Sequence, residues 1–178
     1  MANAIICDAL KKAGFPAVLE PTGLVRGDGK RPDGATTIPW KRGRLMTWDF
    51  TCTDTFCQTN IHSTSSEAGA AAEAAEELKC KKYVDSKSYD FIPVAVETSG
   101  VLVPQASSFL KDLGRRIIQK TRDLRESSFL KQRLDIAICR GNALSIKGCY
   151  TDRTVQDMFP SVVKAVAGQG DPGVGVVS

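Results

Sequence analysis

Two aspartates, Asp33 and Asp49, are the residues of this sequence whose type and spacing could do chemistry. Each lies at an edge of a predicted strand hairpin. In an antiparallel pair joined by a short turn, two such positions can lie across from one another, which brings both carboxylates within reach of one divalent cation. Carboxylate oxygens are hard ligands, so Mg²⁺ or Mn²⁺ would suit the pair best. The alternative is that Asp33 is a turn residue after a proline and Asp49 an exposed strand position.

The hairpin is predicted from the residues between the two aspartates. Residues 35–40 are rich in threonine and strand formers, 41–43 make a Lys-Arg-Gly turn, and 45–51 form the second strand. A polar loop without a pattern follows at 54–63. The hairpin is therefore the element that must position the carboxylates.

A helix is predicted after this loop. Thr64 and Glu67 have the spacing of a capping box, and 68–84 are dense in Ala, Glu, Leu and Lys, the best helix formers. A strand rich in β-formers follows over 89–96. It contains Pro93, which suits an edge or the end of a strand.

The remaining predicted elements complete a mixed sheet flanked by helices. They are a helix over 3–13, a strand over 17–20, and two C-terminal helices, one following Pro104 and one over 126–146. The order α-β-β-β-α-β-α-α predicts an α/β or α+β fold in which the two C-terminal helices cover the sheet. We expect one domain over 1–148 and a largely flexible extension over 149–178.

The composition excludes several classes of protein. The 178 residues are 42% hydrophobic and 25% charged, which excludes collagen, mucins and wholesale disorder. No apolar run approaches the roughly 20 residues that a membrane span needs, and the N-terminus lacks the apolar region of a secretory signal. The six cysteines form no close Cys-x-x-Cys pair, so we expect free thiols. We therefore expect an intracellular protein that makes no contact with a membrane.

Basic residues cluster around the aspartates in the sequence. They are Arg26, Lys30, Arg31, Lys41, Arg42 and Arg44, of which the last four are the predicted phosphate contacts. The net charge of +4 is mild, but such a cluster suits sequence-independent contact with a phosphate backbone, with Trp40 or Trp48 available to stack on an exposed base. Since Trp48 alternates with Asp49 along the strand, we expect it to face the core instead. The alternative is a set of ordinary solvated cations.

A rival metal site consists of soft ligands. Cys52, Cys57, His62 and Cys80 have the side chains that zinc prefers. Their spacing is wider than in most zinc knuckles, and Cys80 would lie deep in a helix, so zinc is the weaker alternative. His62 has no nucleophile arranged beside it, so acyl transfer has no support.

Several short motifs occur in an order that resembles a nuclease family. They are Arg31-Pro32-Asp33-Gly34, Trp48-Asp49-Phe50-Thr51 and Lys79-Cys80-Lys81-Lys82-Tyr83. Their order resembles the restriction-endonuclease-like (PD-(D/E)XK) nuclease superfamily. More narrowly, it is similar to the endonuclease-type domains at the C-terminal ends of open reading frames of eukaryotic mobile elements, including site-specific non-LTR retrotransposons. The resemblance continues through 91–100 and 132–143.

This resemblance implies a restriction-endonuclease-like core, with a central mixed sheet flanked by helices and two extra C-terminal helices. It implies that Asp33 and Asp49, with the carbonyl of Phe50, hold Mg²⁺ or Mn²⁺, and that a lysine lies near the attacked phosphate. The lysine expected two residues after Asp49 is Thr51 in this sequence. Glu20 is implied near the first carboxylate as an outer ligand, although a glutamate before a proline also suits a strand end.

The mobile-element branch of the family carries its lysine on the following helix. Here Lys79 and Lys82 are three residues apart and share one helix face, with Tyr83 on the same side. Either lysine could take the place of a lysine at 51. The alternative is a solvated helix end whose cations complement the helix dipole.

The implied function is a metal-dependent DNA endonuclease derived from a mobile element. DNA would be its substrate, the rest of a retroelement polyprotein a further partner, and the nucleus its location. The alternative is the same fold without catalysis, as a nucleic-acid-binding or assembly module. Thr51 in place of lysine favours that alternative.

Overall fold

The computed structural model of the chain describes residues 1–22, 31–83 and 89–149. Within these ranges the elements are α1 (Ala2–Lys12), β1 (Ala17–Leu19), β2 (Gly34–Thr36), β3 (Leu45–Thr53), α2 (Ile61–Ser66), α3 (Ala70–Tyr83), β4 (Tyr89–Glu97), α4 (Pro104–Thr121) and α5 (Glu126–Cys149). The strands form one mixed sheet in the order β1-β2-β3-β4. The coarse prediction of an α/β fold, with helices flanking a mixed sheet, is confirmed.

The structure confirms the predicted antiparallel pairing but not the short hairpin, because β2 ends at Thr36 and residues 37–44 join it to β3. β2 and β3 are antiparallel, with Gly34 opposite Trp48, and β1 pairs antiparallel with β2. β4 runs parallel to β3, with Asp49 beside Pro93. β4 is an edge strand, as its proline predicts, because a proline has no N–H to donate to a second neighbour.

Helices lie on both faces of the sheet. Met46, Trp48 and Val94 are at most 1% exposed and belong to the core that α1 and α4 cover. The prediction that Trp48 faces the core is therefore confirmed. Side chains alternate along a strand, so the neighbouring residue Asp49 points to the opposite face, where α3 contacts β3 and β4.

The local prediction for the segment after β3 is wrong. The loop predicted over 54–63 passes into α2, and Thr64 lies inside that helix. The Thr64 hydroxyl donates to the carbonyls of Thr55 and Asn60 at 2.8 and 3.0 Å, so it does not cap the next helix. The predicted capping box does not form, and α3 begins two residues later than predicted.

Gly34 is required by the close approach of Trp48. A Cβ atom added to Gly34 would overlap the indole ring of Trp48, which is fully buried. In the sequence the Asp-Gly pair is typical of a turn, whereas the structure uses this glycine inside β2 to make room for the ring.

We expect Gly34→Ala to lower the free energy of unfolding by about 1–3 kcal/mol, because overpacking a fixed aromatic ring costs this much. Gly141→Ala is the matched control, since nothing lies within 4 Å of its Cβ position and alanine is a better helix former than glycine. Urea unfolding curves measure both effects. Equal midpoints for wild type and Gly34→Ala would contradict the prediction.

Residues Met1–Cys139 form one compact unit, and the described residues 140–149 belong to a second. The predicted extension over 149–178 lies outside the described residues except for Cys149, the last residue of α5. Among the described helices, none has the length and apolar character needed to cross a bilayer.

Candidate active site

Asp33 comes directly before β2, and Asp49 lies in the middle of β3, the strand that pairs with β2. Gly34 pairs with Trp48, and continuing this antiparallel register by one residue would place Asp33 across from Asp49. Asp33 Oδ2 accepts a hydrogen bond of 2.7 Å from the N–H of Phe50. The structure therefore brings the carboxylate of Asp33 to the backbone of the residue after Asp49.

The carbonyl of Phe50 belongs to the same arrangement. The N–H and C=O of one strand residue point to the same side of the strand, so this carbonyl is directed to the side on which Asp33 lies. The carbonyl oxygen of Phe50 is thus a further hard donor on the side of β3 that faces the Asp33 carboxylate.

Helix α3 places three side chains on Asp49. Lys79 Nζ lies 2.6 Å from Asp49 Oδ1, Lys82 Nζ lies 4.0 Å from Oδ2, and the Tyr83 hydroxyl donates to Oδ2 at 3.0 Å. Asp49 is only 4% exposed, so its ion pair with Lys79 is largely removed from water. Both candidate lysines therefore reach the carboxylate, and Lys79 makes the closer contact.

Tyr83 has a role that the sequence does not reveal. Its hydroxyl lies 3.0 Å from the carbonyl of Arg31 and 3.0 Å from Asp49 Oδ2, so it joins the segment before β2 to β3. Its ring packs on Phe91, with centroids 4.3 Å apart, and Lys82 Nζ lies 4.9 Å from the ring centroid. The helix spacing predicts the side on which Tyr83 lies, but only the structure shows what it bridges.

Thr51 occupies the position where the resemblance expects a lysine. It follows Asp49 by two residues and so shares its face of β3. Its Oγ1 is buried and has no hydrogen-bond partner within the described ranges. An orphaned hydroxyl of this kind can bind water, and Mg²⁺ usually keeps several of its waters. The carboxylate and carbonyl oxygens of Asp33, Asp49 and Phe50 are the hard donors that Mg²⁺ or Mn²⁺ would need.

Glu20 lies next to Asp33 in the backbone but is paired elsewhere. Its N–H donates to the carbonyl of Asp33 at 2.8 Å, while its side chain, 70% exposed, forms an ion pair with Arg31. The structure does not bring this predicted outer ligand together with the two aspartates as a metal-binding group. Arg31 is neutralised by the same contact.

The other predicted phosphate-binding residues lie at the hairpin turn. They are Lys41, Arg42 and Arg44, whereas Arg26 and Lys30 of the basic cluster lie outside the described residues. Asp49 is four residues into β3, about 13 Å along the strand from its start. Lys41 pairs with Asp112 at 2.9 Å and Arg44 with Asp90 at 3.1 Å. Lys41 and Arg44 are therefore paired with carboxylates of the protein, and the turn that carries them lies away from Asp49.

The prediction that Trp40 stacks on an exposed base is wrong. Its side chain is 5% exposed and packs edge-on against Phe15 and Phe109, with centroid distances of 4.7 and 6.0 Å. The guanidinium of Arg116 lies 4.2 Å from the Trp40 ring centroid. The indole is part of the core beneath α4.

Asp112 connects the hairpin turn to α4. Its carboxylate pairs with Lys41, Arg115 and Arg116 at 2.9, 2.5 and 3.3 Å. Burial alone would raise the pKa of Asp112, but hydrogen bonds from Lys41 and Arg115 and the charge of Arg116 outweigh it and lower the pKa to about 2.

The low pKa of Asp112 predicts a pH dependence of stability. The folded pKa lies below the unfolded value of 3.8, so the stabilisation is present above that value and is lost as the pH falls through about 2. We expect the stability advantage of wild type over Asp112→Asn to shrink by about 2 kcal/mol between pH 5 and pH 2. Urea unfolding at both pH values measures it. An advantage that does not change with pH would contradict the prediction.

The zinc alternative finds no support. In the described part of the chain, no three His, Cys, Asp or Glu side chains come together as a metal-binding group. Burial, with Glu76 and Glu77 nearby, raises the pKa of Cys80, and burial with Asp54 nearby raises the pKa of Cys52. Zinc binds thiolates, so a raised thiol pKa disfavours zinc binding by these cysteines.

The fold by itself defines an α/β protein with a four-stranded mixed sheet flanked by helices. No protein-family model matches the chain, and no curated protein shows significant sequence similarity to it. The assignment to a restriction-endonuclease-like core therefore depends on the motif order and on the geometry around Asp49.

Proposed function

We propose that this chain is a metal-dependent DNA endonuclease with a restriction-endonuclease-like core. The observation that carries the proposal is the 2.6 Å contact of Lys79 Nζ with Asp49 Oδ1. The second carboxylate, Asp33, is bonded to the N–H of Phe50, the residue after Asp49, which supports a site made by both aspartates and the lysine. The local motif at Thr51 lacks a lysine, and α3 supplies one.

Each residue of the site has a role in this proposal. Asp33, Asp49 and the carbonyl of Phe50 would hold Mg²⁺ or Mn²⁺, which when bound polarises a phosphoryl oxygen and lowers the pKa of a water. Lys79 would stabilise the negative charge that develops on the attacked phosphate. The Tyr83 hydroxyl orients Asp49 through its second oxygen.

The surroundings of the site supply substrate binding in this proposal. The predicted phosphate contacts are Arg31, Lys41, Arg42 and Arg44. Because they bind charge and not base edges, they would favour DNA without selecting a sequence. As a domain derived from a mobile element, the chain would act in the nucleus with the rest of its polyprotein.

A nicking assay on supercoiled plasmid tests the proposal. Wild type with Mg²⁺ or Mn²⁺ is expected to produce nicked or linear DNA, and EDTA is expected to stop it. Asp33→Ala should leave no detectable nicking, with an unchanged circular dichroism spectrum. Asp54→Ala is the matched control, since this exposed aspartate follows the same strand and should be dispensable. Absence of cleavage with either metal, or full cleavage by Asp33→Ala, would overturn the proposal.

The second candidate is an inactive nuclease-fold module that binds nucleic acid or assists assembly. The observation that favours it is the occupation of Asp49, whose Oδ1 is paired with Lys79 and whose Oδ2 is bonded to Tyr83. The negative charge of this carboxylate is therefore already balanced by side chains of the protein. Salt-dependent DNA binding, measured by fluorescence anisotropy, without cleavage under any metal would establish this function.

A further inference from the structure

Glu97, the last residue of β4, is a buried carboxylate with a complete set of donors. Its side chain is 1% exposed. Oε1 accepts the N–H of Ala71 at 3.1 Å, and Oε2 accepts the hydroxyls of Ser99 and Thr55 at 3.1 and 3.4 Å. A buried carboxylate is costly unless such bonds compensate it, and here all three donors are neutral.

The bond to Ala71 caps helix α3. Ala71 is the second residue of that helix, and the first N–H groups of a helix have no partners within it. A carboxylate at this end is favoured by the helix dipole as well as by the hydrogen bond. The cap comes from a residue 26 positions further along the chain, so no local sequence motif predicts it.

The N-terminal part of helix α3 has little apolar contact to fix its position. The buried residues of the helix are Ala71, Ala72 and Tyr83; an alanine side chain buries only a small area, and the Tyr83 ring packs on Phe91 at the other end. The polar contacts at the two ends therefore contribute to how the helix lies on the sheet, most of all at its N-terminal end. Glu97 provides the contact at one end, and Asp49 provides it at the other.

The contact of Ala71 with Glu97 and that of Lys79 with Asp49 are separated by nearly the same distance along the sheet and along the helix. Glu97 lies four residues beyond Pro93, the partner of Asp49, which is about 13 Å along a strand. Ala71 and Lys79 are eight residues apart, which is about 12 Å along a helix. Holding Ala71 at Glu97 therefore brings Lys79 level with Asp49.

We propose that Glu97 is a positioning residue that sets α3 on the sheet so that Lys79 meets Asp49. Its effect on catalysis rests on the proposed nuclease function, whereas its effect on the position of Lys79 does not. Loss of the cap releases the N-terminal end of α3. Lys79 then spends less time on Asp49 and becomes more accessible to reagents.

Acetylation of Lys79 by acetic anhydride, followed by mass spectrometry, tests the position directly. The rate is referred to Lys131, an exposed lysine of α5 paired with Asp135 at 2.9 Å. We expect Lys79 to react several-fold faster in Glu97→Ala and in Glu97→Asp, whose side chain is one methylene too short. Glu97→Gln keeps the acceptor for Ala71 and should stay close to wild type.

Cleavage supplies the second readout. At saturating DNA, Glu97→Ala and Glu97→Asp should lower the rate constant for nicking by roughly 10- to 100-fold, since a displacement of about 1 Å costs this much. Plasmid affinity should not change, because Glu97 contacts none of the cations proposed to bind DNA. Asp112→Asn is the matched control for acetylation. It removes a buried carboxylate on another helix, so Lys79 should react at the wild-type rate.

The outcomes separate this inference from the nuclease proposal. Wild-type acetylation of Lys79 in both Glu97→Ala and Glu97→Asp overturns the positioning role, whether or not the protein cuts DNA. Faster acetylation in a protein that never cuts supports the positioning role and counts against the nuclease alone. If Glu97→Ala does not fold, Glu97→Asp, which keeps the charge, decides the question.

Discussion

Asp49→Asn is expected to reduce metal-dependent nicking on the order of 10³-fold or more, because a catalytic metal contributes several kcal/mol to stabilising the transition state. Asparagine keeps the shape of the side chain and can still accept the hydroxyl of Tyr83. It lacks the charge that pairs with Lys79 and that would bind a cation. Single-turnover nicking rates of wild type and variant measure the loss.

Binding of Mn²⁺ distinguishes the loss of a ligand from the loss of folding. Titration followed by electron paramagnetic resonance should show weaker Mn²⁺ binding by Asp49→Asn, with Asp54→Asn as the control that binds as wild type does. Lys79 loses its partner in Asp49→Asn, so the unfolding free energy should also fall and must be measured beside the activity. Wild-type Mn²⁺ affinity in folded Asp49→Asn would contradict the assignment of Asp49 as a ligand.

The antiparallel pairing of β2 with β3 could be predicted because its signals are local, but its register could not. A tight turn that pairs Lys41 with Arg44 would set Asp33 across from Cys52, whereas the longer connection over 37–44 pairs Gly34 with Trp48. The two-residue period of a strand still assigns each side chain of β3 to a face. Placing Trp48 in the core therefore placed Asp49 on the other face.

The placement of α3 could not be predicted, because its determinants are distant in sequence. The capping box failed because the Thr64 hydroxyl donates to carbonyls of the preceding turn and of Thr55. The cap that does form comes from Glu97 on the edge strand. The resemblance implied that α3 supplies a lysine, but only the distances to Asp49 distinguish Lys79 from Lys82.

The basic residues show why nearness in sequence is a weak guide to a site. Lys41 and Arg44 lie within a few residues of the aspartates, yet an extended strand separates them from Asp49. Their charges are paired with Asp112 and Asp90, which come from later segments of the chain. A carboxylate contributed from so far away cannot be read from the local sequence.

Lys79→Met is expected to separate metal binding from cleavage. Loss of the ammonium should lower nicking roughly 10²- to 10³-fold, the usual effect of removing one donor that stabilises transition-state charge. Affinity for Mn²⁺ should stay at or above the wild-type value, because an ammonium 2.6 Å from Asp49 Oδ1 competes with any other cation for that oxygen. Nicking rates and Mn²⁺ titrations of the same preparation measure both effects.

Lys82→Met is the matched control, since it makes the same replacement on the same helix face at a contact of 4.0 Å instead of 2.6 Å. Its loss of cleavage should be much smaller, and the reverse order of the two losses would transfer the catalytic role to Lys82. Adding Thr51→Lys to Lys79→Met should restore part of the activity, because residue 51 shares the face of Asp49 and its buried hydroxyl has no partner among the described residues. Recovery in this double variant would show that the site needs an ammonium at this place, whichever element supplies it. If the ion pair between Lys79 and Asp49 were purely structural, no recovery of cleavage would be expected.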